Sequence, residues 1–192
     1  NGDGSTVVTI TNSLFNGNET SGSEGGGAIF VMNGAQIDVS GTCFIANRAT
    51  TTSSVNYGGA IMVGEGSDVI LSNCSFDGNY ASSSGNGGAI AINSTSGSVG
   101  GTPTVSISTC SFLNNSAADG NDLFTRGSFG GVITAFECTW SDVSSEELHV
   151  NDGSITLTSS GSPAQTGGAT DDGVASSVAP STACPILIDP CF

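Results

Sequence analysis

Residues Val69–Asn79 read VILSNCSFDGN. Two apolar residues one apart, a two-residue interruption, a small residue and then an aromatic give a template, apolar-x-apolar-x-x-small-x-aromatic, filled here by Val69, Leu71, Cys74 and Phe76. The same register is filled by Val8, Ile10, Ser13, Phe15; by Ile37, Val39, Thr42, Phe44; by Val105, Ile107, Cys110, Phe112; and, more loosely, by Ile133, Ala135, Cys138, Trp140. A period of two is the mark of a strand, and an inserted pair resets which parity faces inward. The template therefore describes two short strands joined by a corner. At the second corner residue stand Asn12, Gly41, Asn73, Thr109 and Glu137. Three of the five are Asn or Gly, the types that enter the left-handed backbone region most readily.

A third strand is expected after each Gly-Gly-Ala, with Ile29 and Val31, Ile61 and Val63, and Ile90 and Ile92, then degenerate versions at Leu123 and at Leu148 with Val150. Asp122 stands where Ala28, Ala60 and Ala89 stood, so this position is expected to point outward. The aromatics lie 29, 32, 36 and 28 residues apart, one turn of chain each. The expected fold is all-β: a parallel β-helix of about five coils with three short strands per coil, occupying residues 1–160.

Stacking at about 4.8 Å turns like residues into internal columns. Phe15, Phe44, Phe76, Phe112 and Trp140 are expected to pile ring on ring. Asn18, Asn47, Asn79 and Asn115, which close the FxxN tetrads, are expected to form a ladder of amides that satisfies loop backbone.

FxxN alternating with GGAI, at Gly26–Ile29, Gly58–Ile61 and Gly87–Ile90, resembles the repeats of the polymorphic outer membrane proteins, best known from chlamydial autotransporter adhesins. The likeness spans roughly 155 residues, and Gly120–Phe124 (GNDLF) is similar to that family's degenerate closing repeat. The resemblance implies a right-handed parallel β-helix displayed on a surface or in an extracellular filament, with a role in adhesion or assembly. The chain departs from the family in having no C-terminal transmembrane β-barrel, so it gives no support for that mode of anchoring.

Composition agrees with display outside the cell. Arg48 and Arg126 are the only basic residues apart from His149, against 17 acidic ones, for a net charge of −15. Nucleic acid and anionic membranes both need clustered Lys or Arg, so neither is an expected partner. No apolar run reaches the roughly 20 residues that span a bilayer, so no membrane insertion is expected. Asn1 rather than Met opens the chain without a signal-like segment, as in a processed or excised product. Six cysteines favour an oxidising compartment, and an extracellular or cell-surface location is expected.

Cys74, Cys110 and Cys138 share one template position. They are expected to stack, either as a Cys110–Cys138 disulfide stapling neighbouring turns or as a column of buried thiols. Cys43 sits one place off that register and is expected to face the other way. Cys184 and Cys191 flank PILIDP and are the candidates for a terminal disulfide clip. Sequons occur at Asn18, Asn73, Asn93 and Asn114; Asn93 and Asn114, near loop corners, are the candidate glycosylation sites.

Carboxylates fall singly or in loops, among them Asp38 and Asp68 at similar places in consecutive coils, where a solvated edge charge is the expectation. His149 lies between Leu148 and Val150 without evident partners for a triad or a zinc site. No catalytic residue, cofactor or metal is therefore assigned, and a polysaccharide-degrading activity ranks below a structural or adhesive role. Thr-x-Thr does not recur in every coil as an ice-binding face requires, nor does the calcium-binding nonapeptide appear. The corner loops Ala49–Tyr57 and Ala81–Asn86 are the candidate contacts for a glycan or protein receptor. Residues 161–192 read as a Ser/Gly-rich linker and a Cys-flanked terminal strand, ILI, that either caps the last coil or pairs with another subunit. Self-association, head to tail or through this tail, is the expected partnership.

Overall fold

The computed structural model describes residues 7–22, 25–50, 57–82, 84–94, 101–127, 130–140 and 148–158, and every regular element among them is a strand. The chain forms a parallel β-helix. Its long sheet carries six rungs in chain order: Val7–Thr11, Gln36–Ser40, Asp68–Ser72, Thr104–Ser108, Gly131–Phe136 and Gly153–Thr158. The aromatic sheet carries Leu14–Asn16, Cys43–Ile45, Ser75–Asp77, Ser111–Leu113 and Thr139–Trp140, and the Gly-Gly-Ala sheet carries Ile29–Val31, Ile61–Val63, Ile90–Asn93, Leu123–Arg126 and Leu148–Val150. Three coils add a fourth strand of two residues, at Glu19–Thr20, Arg48–Ala49 and Tyr80–Ala81. This strand corrects the expectation of three per coil. It forms because the residues after each ladder Asn bond to the neighbouring coil, as in Tyr80 N–H to the Asn47 carbonyl at 2.9 Å.

Registers match the template residue for residue, with Ile37 beside Val69, Val69 beside Val105 and Phe76 beside both Phe44 and Phe112. All five corner residues have positive φ, from 46° at Asn12 to 57° at Gly41, including Thr109 at 51° and Glu137 at 52°. Position in the coil thus overrides residue type at the corner. The rings form one pile: Phe15–Phe44 at 5.1 Å between centroids, Phe44–Phe76 at 4.7 Å, Phe76–Phe112 at 5.0 Å and Phe112–Trp140 at 4.6 Å. The inward columns of Ile, Val and Leu complete the core around it. Thr125 interrupts one column, and its buried hydroxyl has no hydrogen-bond partner.

The two glycines of the motif do different work. Gly58 has φ +69°, which an L side chain rarely adopts. Gly59 does not; instead a Cβ there would overlap the Gly88 carbonyl oxygen and lie 2.6 Å from the Tyr80 backbone. Gly27 stands likewise against Arg48, and Gly88 against Ser116. The second glycine therefore packs on the residue that follows the ladder Asn of the next coil, which is why GGA and FxxN occur as a pair.

The template's small residue forms a vertical column of hydroxyls and thiols, each donating to the carbonyl two residues back. Ser13 Oγ reaches Thr11 at 2.8 Å, Thr42 Oγ1 reaches Ser40 at 3.0 Å, Cys74 Sγ reaches Ser72 at 3.4 Å and Cys110 Sγ reaches Ser108 at 3.3 Å. Cys138 continues it at 3.5 Å to Phe136. The expected Cys110–Cys138 disulfide is corrected: both are buried thiols, as are Cys43 and Cys74. Each sulfur instead donates to a backbone carbonyl of its own coil, Cys110 to Ser108 and Cys138 to Phe136. Cys184 and Cys191 lie outside the described residues.

Candidate functional site

The asparagine ladder has a direction. Asn18 Nδ2 donates to Asn47 Oδ1 at 2.8 Å, Asn47 Nδ2 to Asn79 Oδ1 at 3.0 Å, and Asn79 Nδ2 to Asn115 Oδ1 at 2.9 Å. Each of these oxygens also accepts the backbone N–H of the preceding rung's Asn, at 3.0–3.1 Å. The second amide hydrogen bonds a phenylalanine carbonyl: Asn47 to Phe15, Asn79 to Phe44 and Asn115 to Phe76. Inner rungs are thus fully satisfied, and every amide dipole points the same way.

Such a chain must end on an acceptor. After Trp140 the sequence reads Ser-Asp-Val, with no Asn in the ladder place. The acceptor is Asp122 Oδ1, which takes the Asn115 Nδ2 hydrogen at 2.8 Å. Asp122 is 2% exposed, so the outward orientation expected for it is overturned. A carboxylate is suited to this place because the aligned amides present their N–H ends to it. The signal was the coincidence of two departures from the repeat, the Asp in GNDLF and the missing Asn one coil later.

The two ends of the coil are unlike. At the C-terminal end Ile155 and Leu157 are 8% exposed. At the N-terminal end their column mate Val8 is 52% exposed, against 5% for Ile37 one coil on, and Ile10, Phe15 and Ile29 are half-buried. Among the described residues nothing stacks on Val7–Thr11 from that side, and no rung precedes Asn18. Among the described residues, Val7–Thr11 is thus a strand paired on one side only, with exposed apolar side chains behind it.

The remaining candidates are spread out. Asp38 pairs with Ile70, and Asp68 with Gln36, so the two carboxylates do not share a row; Asp68 accepts from Thr104 Oγ1 at 2.6 Å. His149 stacks on Phe124 at 5.3 Å, with Nδ1 buried and unpartnered. Tyr57, at the end of one corner loop, is buried among Met62, Ala91 and Phe124, and its hydroxyl accepts from Arg126 at 2.8 Å. Arg48 lies over the Tyr80 ring at 5.3 Å. Asn93 ends a strand, half-buried, with its side-chain oxygen unpartnered, whereas Asn114 is exposed at φ 52° and its Nδ2 donates to Asp77. Among the described residues no three His, Cys, Asp or Glu side chains gather as a metal site would require.

The Cys74 sulfur, with burial added, holds the Cys110 thiol well above the ordinary thiol range. The native state then keeps a proton that the unfolded chain gives up above about pH 8.5, so stability falls as pH rises past that value. We expect this thiol to cost about 2 kcal/mol between about pH 8 and about pH 10, read from urea midpoints, with Cys110→Ser flattening the slope. An unchanged slope in the variant would refute the assignment.

No family model, curated protein or solved structure matches this chain.

Proposed function

We propose that this chain is a non-enzymatic extracellular β-helix with a structural or adhesive role, and that it self-associates through the N-terminal end of its coil. The observation that carries the reading is Val8, 52% exposed on a strand that has a neighbour on one side only among the described residues. A strand edge with apolar backing is a template for another chain, and burying such side chains contributes about 25 cal/mol per Å². The FxxN and GGAI repeats support display on a cell surface or in a filament, in the manner of the polymorphic outer membrane proteins they resemble. The acidic composition, without a single lysine, also suits such a setting.

A second reading, binding of a glycan or protein receptor through the corner loops, is favoured by the anchoring of the Ala49–Tyr57 loop at Tyr57, buried under Arg126.

Sedimentation velocity over a wide concentration range, paired with negative-stain imaging, tests the first reading. The wild-type chain is expected to associate, and Val8→Asp, which places a charge on the open end, is expected to remain monomeric with nearly the same unfolding midpoint. A wild-type chain that stays monomeric throughout, or a variant that associates equally well, would remove the N-terminal end from consideration.

A further inference from the structure

Exposed apolar side chains gather at one end of the coil. Of the large ones exposed among the described residues, Val7, Val8, Leu14 and Met32 all belong to the first coil, and Ile70 and Phe136 lie elsewhere. Residues 1–6, NGDGST, bring no apolar side chain to them. At the other end Ile155 and Leu157 are already buried within a single chain, so that end offers a second copy little apolar surface. The surface that complements the first coil is therefore the first coil of another copy.

The backbone fixes how two such coils can meet. Asp68, Thr104 and Val132, column mates of Val7, donate their N–H groups to the preceding coil at Ala35, Ser67 and Pro103. By the same register the N–H and C=O groups of Val7, Thr9 and Thr11 point to the side on which no described strand lies. Two copies of this edge match when they run antiparallel about Thr9, because Thr9 then faces Thr9 and Val7 faces Thr11, edge group against edge group. A shift of one residue would set these groups against residues whose own are turned into the coil. In the matched register the inward Val8 of one copy lies opposite Ile10 of the other, an apolar cross-strand pair at the closer of the two antiparallel spacings. Reversal of the coil also lays the aromatic sheet of one copy over the Gly-Gly-Ala sheet of the other, so the half-buried Phe15 and Ile29 cover one another.

Charge favours the same place. Two chains of net charge −15 repel, and a contact between them is least opposed where carboxylates are few. Among the described residues of the first coil, 7–22 and 25–35, the one carboxylate is Glu19.

We propose that two copies of this chain join head to head about a two-fold axis, their Val7–Thr11 strands pairing antiparallel with Thr9 on the axis, so that the two long sheets become one. This rests on the reading that the N-terminal end is the site of self-association, and it names the arrangement. A two-fold contact uses one patch on both partners and is complete with two copies. Association through this end thus yields a closed pair and not a filament.

A residue on a two-fold axis faces itself, which makes the symmetry measurable by sedimentation velocity. Thr9 is exposed, with its side chain on the outer face, so substitution there leaves the core alone. Thr9→Asp and Thr9→Lys chains are each expected to pair on the order of fivefold more weakly than the wild type, because like charges then stand opposite one another. An equimolar mixture of the two is expected to recover wild-type pairing or better. Thr156→Asp, in the same outward column at the far end, is expected to change nothing, and the wild type is expected to stop at the pair at every concentration. Species larger than the pair, or a mixture that associates no better than either variant alone, would overturn the two-fold arrangement. If Val8→Asp still abolishes association in that case, the N-terminal end stands as the site. A wild-type chain that stays monomeric throughout would overturn both.

Discussion

Asn79→Ala is expected to unfold the protein at substantially lower denaturant than the wild type, with a loss of about 4 kcal/mol or more. The substitution removes a small side chain, so its cavity is minor; the cost lies in what it strands. Asn79 Oδ1 accepts both the Asn47 backbone N–H and Asn47 Nδ2, and its own amide supplies the Phe44 carbonyl and Asn115 Oδ1. Three buried groups lose a partner outright, and each such loss costs about 1–3 kcal/mol. A domain of this size has only about 5–15 kcal/mol to lose. Asn18→Ala supplies the contrast: Asn18 is exposed at the ladder's first rung and accepts from no earlier coil, so about 1 kcal/mol is expected. Equal midpoints for Asn79→Ala and the wild type in urea would show that the ladder does not hold the coils together.

Gly59→Ala is expected to be at least as damaging, although alanine is the smallest change available. The added Cβ would meet carbonyl and amide atoms of Gly88 and Tyr80, neither of which can rotate away as a side chain could. The coil must open locally, breaking the Gly59 N–H bond to the Gly87 carbonyl at 3.0 Å and loosening the short sheet at Tyr80. A loss of more than about 3 kcal/mol is expected, in the range of an overpacked core. Gly78→Ala separates this steric effect from backbone strain: Gly78 has φ +63° but open space around its missing Cβ, so only about 1 kcal/mol should be lost. Thermal unfolding of the two variants side by side decides the matter, and a Gly59→Ala chain as stable as Gly78→Ala would contradict the packing account.

Much of the fold could be read from the chain because parallel, in-register stacking puts one residue type in one column. Phe44, Phe76 and Phe112 are nearest neighbours in space while more than thirty residues apart or close to it in sequence, and the repeat exposes that directly. Corner φ values followed from position even at Thr109 and Glu137, where the residue type argued against them. Asp122 was misread for a physical reason: its charge was judged against burial alone, whereas the end of a polarised ladder requires an acceptor. The two-residue strands at Arg48–Ala49 and Tyr80–Ala81 are too short to show any period. The difference between the two ends, on which the proposed site rests, depends on exposure that no local pattern encodes.

Polarity of the amide column bears on how such a protein can change length. Any layer upstream of Asp122 begins and finishes with the same donors and acceptors, so a duplicated segment of about thirty residues could slide between two existing layers and meet matching chemistry above and below. Past Asp122 the same insertion would face a negative charge where it needs an amide. Duplication with matched chemistry is thus open to the layers whose Asn both gives and takes a ladder bond, and one buried acid marks where that series stops.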